Sequence, residues 1–322
     1  MTELTKELQT LRDESETRAE QVRIAQESAF RNMDTGKWAP LEDTAIRAEL
    51  KKIEAGIRHW AKTYAFEDCS IVQNLPCDRI AWIVNELREI GLSEQDFAAI
   101  VNGWKNKAPL LLIQAIVSKN LIYSNFHRPF HFLRGVSQTG TEYTNGVRSE
   151  SPFAIDMQNL YDDLRLVDER QAHFWRSGTL RQLSASGPIA DDVVAMRDDA
   201  SNRLAWRIID GPLSLMLRGV GKEESRKRYE SLASLFSTAI KISARLWTQR
   251  THMRVGHENR FKVDSSITVA HRLQKLDEGD TRLDGKNILA VIQPAVVAYG
   301  TSTGEDYENR RVWLKSIVLV EE

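Results

Sequence analysis

Cysteine is nearly absent from this 322-residue chain, which contains only Cys69 and Cys77. At most one intramolecular disulfide can form. That scarcity excludes a disulfide-built scaffold and fits a reducing compartment. Long apolar runs are missing too. The longest mostly apolar stretch, Leu110 to Val117, is interrupted by Gln114, whereas a membrane span takes about 20 residues. Met1 to Arg12 is polar and mixed in charge, without the apolar centre of a signal peptide. These absences lead us to expect a cytoplasmic or nuclear protein with no membrane association. An excess of one charge is lacking as well. Lys and Arg number 44, Asp and Glu 45, for a formal net charge of −1, so nothing drives the whole chain toward nucleic acid. The apolar fraction of 42% is enough for a core and excludes a wholly disordered or collagen-like chain.

What is present is helical periodicity. Residues 1–36 form a charged segment with eight acids and five bases, no Trp or Tyr, and one Phe, Phe30. Leu4, Leu8, Leu11, Ser15, Arg18, Val22, Ala25 and Ala29 follow four-three spacing, with Ser15 and Arg18 placing polar groups in the seam. We expect a helical tail there, either solvated or coiled-coil-like and self-associating. Gly36 and Pro40 mark a joint. From Asp43, the residues Ile46, Leu50, Ile53, Ile57, Trp60 and Tyr64 share one helix face, with Asp43 or Thr44 as the cap. A second helix over Asp78 to Ile90 stops at Gly91, a third opens at Ser93 with Asp96 completing a capping box, and Leu110 to Phe126 reads as a buried fourth. A glycine-containing loop follows over 127–151. Helical spacing then links Leu160, Leu164, Val167, Gln171 and Phe174, and afterwards Ile189, Val193, Met196, Ala200 and Leu204. The longest helix is expected over Lys222 to Met253.

After Gly256 beta-branched residues dominate. Val312 to Val320 alternates as a strand does, Pro294 signals a strand break or a sheet edge, and Gly300 to Asn309 suits a hairpin connection. The predicted fold is therefore mainly α: a helical domain over 37–255, a small C-terminal antiparallel β element over 256–322 packed on it, and the tail over 1–36.

Tests for chemistry come back empty. His127 and His131 stand four apart, but Pro129 between them disfavours a helix and no Glu or Cys completes a metal set. His252 and His257 are separated by Gly256 and are weaker still. Gly219-Val220-Gly221-Lys222 resembles part of a phosphate loop, yet Met216 and Glu223 occupy the positions that need Gly and Ser or Thr. The acidic pairs Asp162-Asp163, Asp191-Asp192 and Asp198-Asp199 lack the clustering that diphosphate-metal chemistry requires. No nucleophile elbow and no dinucleotide fingerprint occurs. We assign no catalytic residue, cofactor site or metal site from sequence.

Charge segregates locally. Residues 218–262 hold eleven bases and four acids, and residues 156–199 hold nine acids and five bases. Such a basic stretch either binds nucleic acid or an acidic partner, or pairs internally; we favour internal or solvated pairing. Trp60, Trp82, Trp104, Trp175, Trp206 and Trp247 sit in apparent helices, where core filling is favoured over an aromatic ligand box.

Several features in order resemble an uncharacterised protein family of filamentous ascomycete fungi. They are Ile57-Arg58-His59-Trp60-Ala61, Leu112-Ile113-Gln114-Ala115, the helix from Ser231 to Trp247, Pro294 to Gly300, and Gly304-Glu305-Asp306-Tyr307 before a final apolar strand. The likeness spans about residues 40–322 and implies a variable charged N-terminal segment but no established reaction. The function expected from the sequence is a non-enzymatic intracellular interaction or regulatory protein. The alternative is an enzyme or a small-molecule-binding accessory protein of a fungal metabolic pathway. A cavity with buried polar groups such as His59, His173 or Asp210 would distinguish it.

Overall fold

The computed structural model describes residues 39–133, 151–185, 187–256, 262–274 and 284–321. The tail over 1–36, the glycines at 135, 140 and 146, and His257 lie outside the described residues. Residues Leu41–Glu322 make one compact unit, and among the described residues no helix is long and apolar enough to cross a membrane.

The helices are α1 (Asp43–Tyr64), the short α2 (Ser70–Gln73), α3 (Cys77–Leu87), α4 (Glu94–Trp104), α5 (Ala108–Ser118), α6 (Ser124–Phe126), α7 (Pro152–Val167), α8 (Glu169–Leu183), α9 (Pro188–Ile209) and α10 (Lys222–Trp247). The strands are β1 (His252–Gly256), β2 (Thr268–Ala270), β3 (Ile288–Gln293), β4 (Ala295–Tyr299), β5 (Arg310–Leu314) and β6 (Ser316–Val320). This is the mainly α architecture with a small C-terminal β element that the periodicities predict.

The centre is α5. Leu111 to Ser118 is buried on every side, Gln114 included, as expected of a helix that is apolar all round. Pro109 sits in its first turn, where a missing N–H does no harm. Continuity to Phe126 holds only through one π turn, Lys119–Tyr123. There the buried Asn120 donates to Ile116 O and to Glu86, and accepts from Arg207. Around α5 pack α1 and β3, while α10 lies along both α1 and α9. The buried face of α1 is the predicted one, Ile46, Leu50, Ile53, Ile57, Trp60 and Tyr64. Gly91 adopts φ 87° after a short 3-10 turn, and Ser93 with Asp96 forms the expected capping box.

Several local expectations are corrected. Neither Asp43 nor Thr44 caps α1; the N-cap is Glu42, without a side-chain bond. The Asp43 carboxylate instead accepts from Arg311 Nη1 at 2.8 Å and Trp313 Nε1 at 3.0 Å, so a long-range partner takes the local capping group. The Leu160–Phe174 stretch is two helices, because Asp168 leaves helical geometry and caps α8 through Gln171 N–H. The longest helix stops at Trp247 rather than Met253, since His252 and Met253 already belong to β1 and pair with β4. Trp60 and Trp247 are core, but Trp82 and Trp206 are 36% and 51% exposed. Trp206 rests on Tyr229, ring centroids 4.6 Å apart. The bases around the start of α10 pair locally, Arg226 with Glu223 and Glu230 within the helix, and Arg218, just before it, with Glu224.

The β element is a bent hairpin with two added strands. One sheet runs β1-β4-β5 and the other β2-β6-β3. β3 and β4 are one strand interrupted at Pro294, as expected; β5 and β6 are one strand interrupted at Lys315, which the alternation of 312–320 does not announce. Each limb therefore passes from one sheet to the other at its bend. Ser316 Oγ donates to Gln293 O at 2.8 Å and ties the two bends together. The pairings within the hairpin and of β1 with β4 are antiparallel, while β2 joins β6 in parallel.

Candidate functional site: a cavity between α7 and β1

A cavity of about 510 Å³ lies between α7 and β1. α7 contributes Gln158, Tyr161, Asp162 and Arg165; the end of α10 contributes Trp247; β1 contributes His252 and Arg254; the segment after α6 contributes His127 and Arg128. In α7 these residues fall at three- and four-residue steps, so one helix face carries them all. His252 opens β1, and its ring is buried.

Behind the wall stands a polar network built around Arg176, which is 0% exposed. Arg176 Nη1 donates to Tyr161 Oη at 3.1 Å, and its Nη2 donates to the carbonyls of Gln249 and Thr251. Its guanidinium also lies 4.8 Å over the Trp247 ring. Among the described residues no carboxylate pairs with it, so a full positive charge is buried on carbonyls, a hydroxyl and an aromatic face. Tyr161 Oη, which accepts from Arg176, also shares a hydrogen bond with His173 Nδ1, 2.7 Å away. His173 Nε2 faces Glu169 Oε1 at 3.5 Å.

His252 stacks on His173, ring centroids 5.0 Å apart and planes 13° apart. Tyr307 covers His173 from the hairpin loop at 4.8 Å. Burial first, and then the Arg165 charge for His252 and the Arg176 charge for His173, push both imidazoles far down, to about 2 and about 3. Both rings are neutral at pH 7. The Arg254 Nε–H group can only donate, and it points at His252 Nε2 from 3.4 Å. The His252 proton is thus on Nδ1. That atom is buried without a partner, and so is Trp247 Nε1.

This arrangement offers hydrogen-bond donors inside a cationic surround. Trp247 and His252, whose Nε1 and Nδ1 donors are buried without a partner, line the cavity with Arg128, Arg165 and Arg254, as does Gln158, whose Oε1 acceptor is also buried without a partner. The one acidic side chain of the lining, Asp162, is engaged by Gln158 and Arg165. Leaving a buried donor unpaired costs about 1–3 kcal/mol, so two such groups on residues of the lining favour an acceptor-bearing occupant. General-base chemistry at neutral pH fits poorly, since an efficient base titrates near the working pH and these imidazoles do not.

The residues singled out from sequence are dispersed and recombined here. His127 and His131 do not act as a pair. His127 lines the cavity and stacks on Tyr123, centroids 4.6 Å apart, whereas His131 Nδ1 meets its own loop's Arg128 carbonyl at 2.9 Å. His252, from the other weak pair, lines the cavity with His127. Of the three buried polar groups expected, only His173 is buried; His59 and Asp210 are exposed. Tyr161, Arg176 and Tyr307 carry no motif, and their only advance sign is their position on otherwise apolar helix faces or in a loop. Among the described residues no group of three His, Cys, Asp or Glu is placed to hold a metal ion. Comparison with protein-family models, with curated proteins and with solved structures gave no match for this chain.

Proposed function

We propose that the protein is a non-enzymatic regulatory protein that binds a small organic anion in the cavity between α7 and β1. The observation that carries this reading is that two residues lining the cavity, Trp247 and His252, each hold a buried donor without a partner, Nε1 and Nδ1. Arg176, Arg165 and Arg254 supply the positive potential, and the depressed basicity of His173 and His252 argues for binding over proton transfer. A carboxylate on an aromatic or aliphatic body suits the lining, because Ile155, Met253 and Val255 add apolar surface.

Thermal unfolding with benzoate and with benzylamine tests this. Benzoate raises the melting temperature of the wild type and benzylamine does not; the effect is lost in W247F with H252F. Stabilisation by both ligands, or by neither, refutes the reading. Self-association through residues 1–36 belongs to the same reading, supported by the Leu4, Leu8 and Leu11 spacing. Light scattering on the full chain and on the chain without residues 1–36 tests it, and equal monomer masses remove it. A reducing compartment, cytoplasm or nucleus, is supported by the two free thiols of Cys69 and Cys77.

A further inference from the structure

A second cavity, of about 610 Å³, lies where the two sheets diverge at the bend of the hairpin. α1 walls one side, Gln114 and Ser118 of α5 reach it from the core, and strands of both sheets complete it. It shares no lining residue with the cavity between α7 and β1.

Its charge is one-sided. Arg47, Lys51, Arg58, Arg272 and Lys315 line it against a single carboxylate, Glu54. Three of the cations come from α1 at positions 47, 51 and 58, a spacing that keeps them on one stripe. Glu54 is engaged by Arg58 at 3.5 Å. Arg47 Nε donates to Val312 O at 3.2 Å and Lys315 Nζ to Ser265 O at 2.9 Å; these bonds position the cations without neutralising them. Among the described residues neither Lys51 nor Arg272 has an acidic partner. A net surplus of cations around one concavity is self-repelling in a chain whose overall charge is −1.

Hydrogen bonding supplies a second, independent observation. His271 is 3% exposed and Gln114 is 6% exposed. His271 Nδ1 accepts from the Leu273 N–H at 3.3 Å, so its Nε2–H must donate to Gln114 Oε1, 3.2 Å away. That fixes the amide orientation. Gln114 turns its NH₂ end, which has no partner among the described residues, to the cavity it lines. The charges of Arg272 and Arg58 both bear on the His271 ring and add to burial in holding it at about 4. One cluster thus gathers Arg58, Arg272 and a free amide donor around a neutral His271. Beyond it the wall turns apolar, with Ile57, Val269, Ile292, Val312, Leu314 and Ile317.

We propose that this groove binds a phosphate monoester with an apolar body, the phosphate held by Arg58, Arg272 and the Gln114 amide and the body lying on the apolar wall. A dianion with three acceptor oxygens matches the cation surplus better than a monoanion does, and arginine guanidinium groups fit its geometry. Lys51 and Arg47 flank the same groove and extend the attraction along it.

The test is isothermal titration of the full chain with n-hexyl phosphate, inorganic phosphate and n-hexanol. We expect saturable binding of hexyl phosphate, weaker binding of inorganic phosphate and none of hexanol. Affinity falls at least about tenfold in R58A with R272A, with the melting temperature held. Sedimentation with phosphatidylcholine vesicles containing phosphatidic acid distinguishes a lipid headgroup from a soluble monoester. Failure of both hexyl phosphate and the vesicles to bind overturns the proposal. So does undiminished binding in the double variant, or binding of hexanol as tight as that of hexyl phosphate. A positive or negative result here leaves the cavity between α7 and β1 untouched, because W247F and H252F report on that one alone.

Discussion

The imidazole of His173, on α8, lies face to face with that of His252, on β1, with ring centroids 5.0 Å apart. Two histidines at that distance cannot both be charged, and Arg165, Arg176 and Arg254 surround them with further positive charge. The stack therefore exists only with neutral rings.

Acid should destabilise the fold through these rings. In the folded chain His173, His252 and His271 are held below their ordinary 6.5, at about 3, about 2 and about 4. The unfolded chain takes up a proton at each near pH 6.5, so unfolding binds protons below that pH. Their contribution is full above pH 6.5 and declines as pH falls toward the folded values. Each contributes a slope of up to about 1.4 kcal/mol per pH unit. Urea unfolding at pH 7.5, 6 and 5 should show falling stability, with the slope reduced by about one histidine's share in H252Q. A flat profile over that range contradicts neutral burial.

Gly300→Ala should damage both the hairpin and the network behind the cavity. Gly300 has φ +74°, and a Cβ there would stand 2.6 Å from Tyr307 Cδ1 and 2.9 Å from Glu305 O. The tyrosine that would have to give way covers His173 and donates to Arg250 O at 2.9 Å. Left-handed strain alone costs about 1–2 kcal/mol, and the clash adds to it. The expected result in chemical unfolding is a loss above about 2 kcal/mol, with shifted His173 ring resonances. An unchanged midpoint would show that the loop relaxes freely.

Asp43→Ala removes the acceptor shared by Arg311 and Trp313. No capping bond is lost, because Asp43 does not cap α1. The expected loss is about 1–3 kcal/mol, the range for orphaning partners of a charged hydrogen bond. Hydrogen exchange should quicken in β5 more than at the first turn of α1. The reverse order would mean that the carboxylate serves the helix after all.

Leu112→Ala should cost about 2–5 kcal/mol, because Leu112 is fully buried in the helix around which the others pack. Equilibrium unfolding measures it. A loss under about 1 kcal/mol would place α5 outside the cooperative core.

Much of the frame was legible because the signals are local. The apolar stripe of α1, Gly91, the Ser93–Asp96 box and the Pro294 break each act within a few residues. The bend at Lys315 was not legible, since side-chain alternation runs through it unbroken and it lies opposite a bend in the partner limb at Pro294, far away in sequence. Nor was the site. His127, Tyr161, Trp247 and His252 meet only because α7, α10 and β1 converge, and periodicity tells which face is buried but not what it meets. Trp206 misled for the same reason: an aromatic residue on a helix does not disclose whether a neighbour such as Tyr229 covers it in the core or at the surface.

The most direct test of the central claim is the indole ¹⁵N–¹H resonance of Trp247, assigned by its loss in W247F and followed while benzoate is added. Our account predicts a saturable downfield shift as the indole N–H gains an acceptor, abolished in H252F and absent with benzylamine. A Trp247 resonance that stays in place while benzoate binds elsewhere, or that never moves, would contradict it.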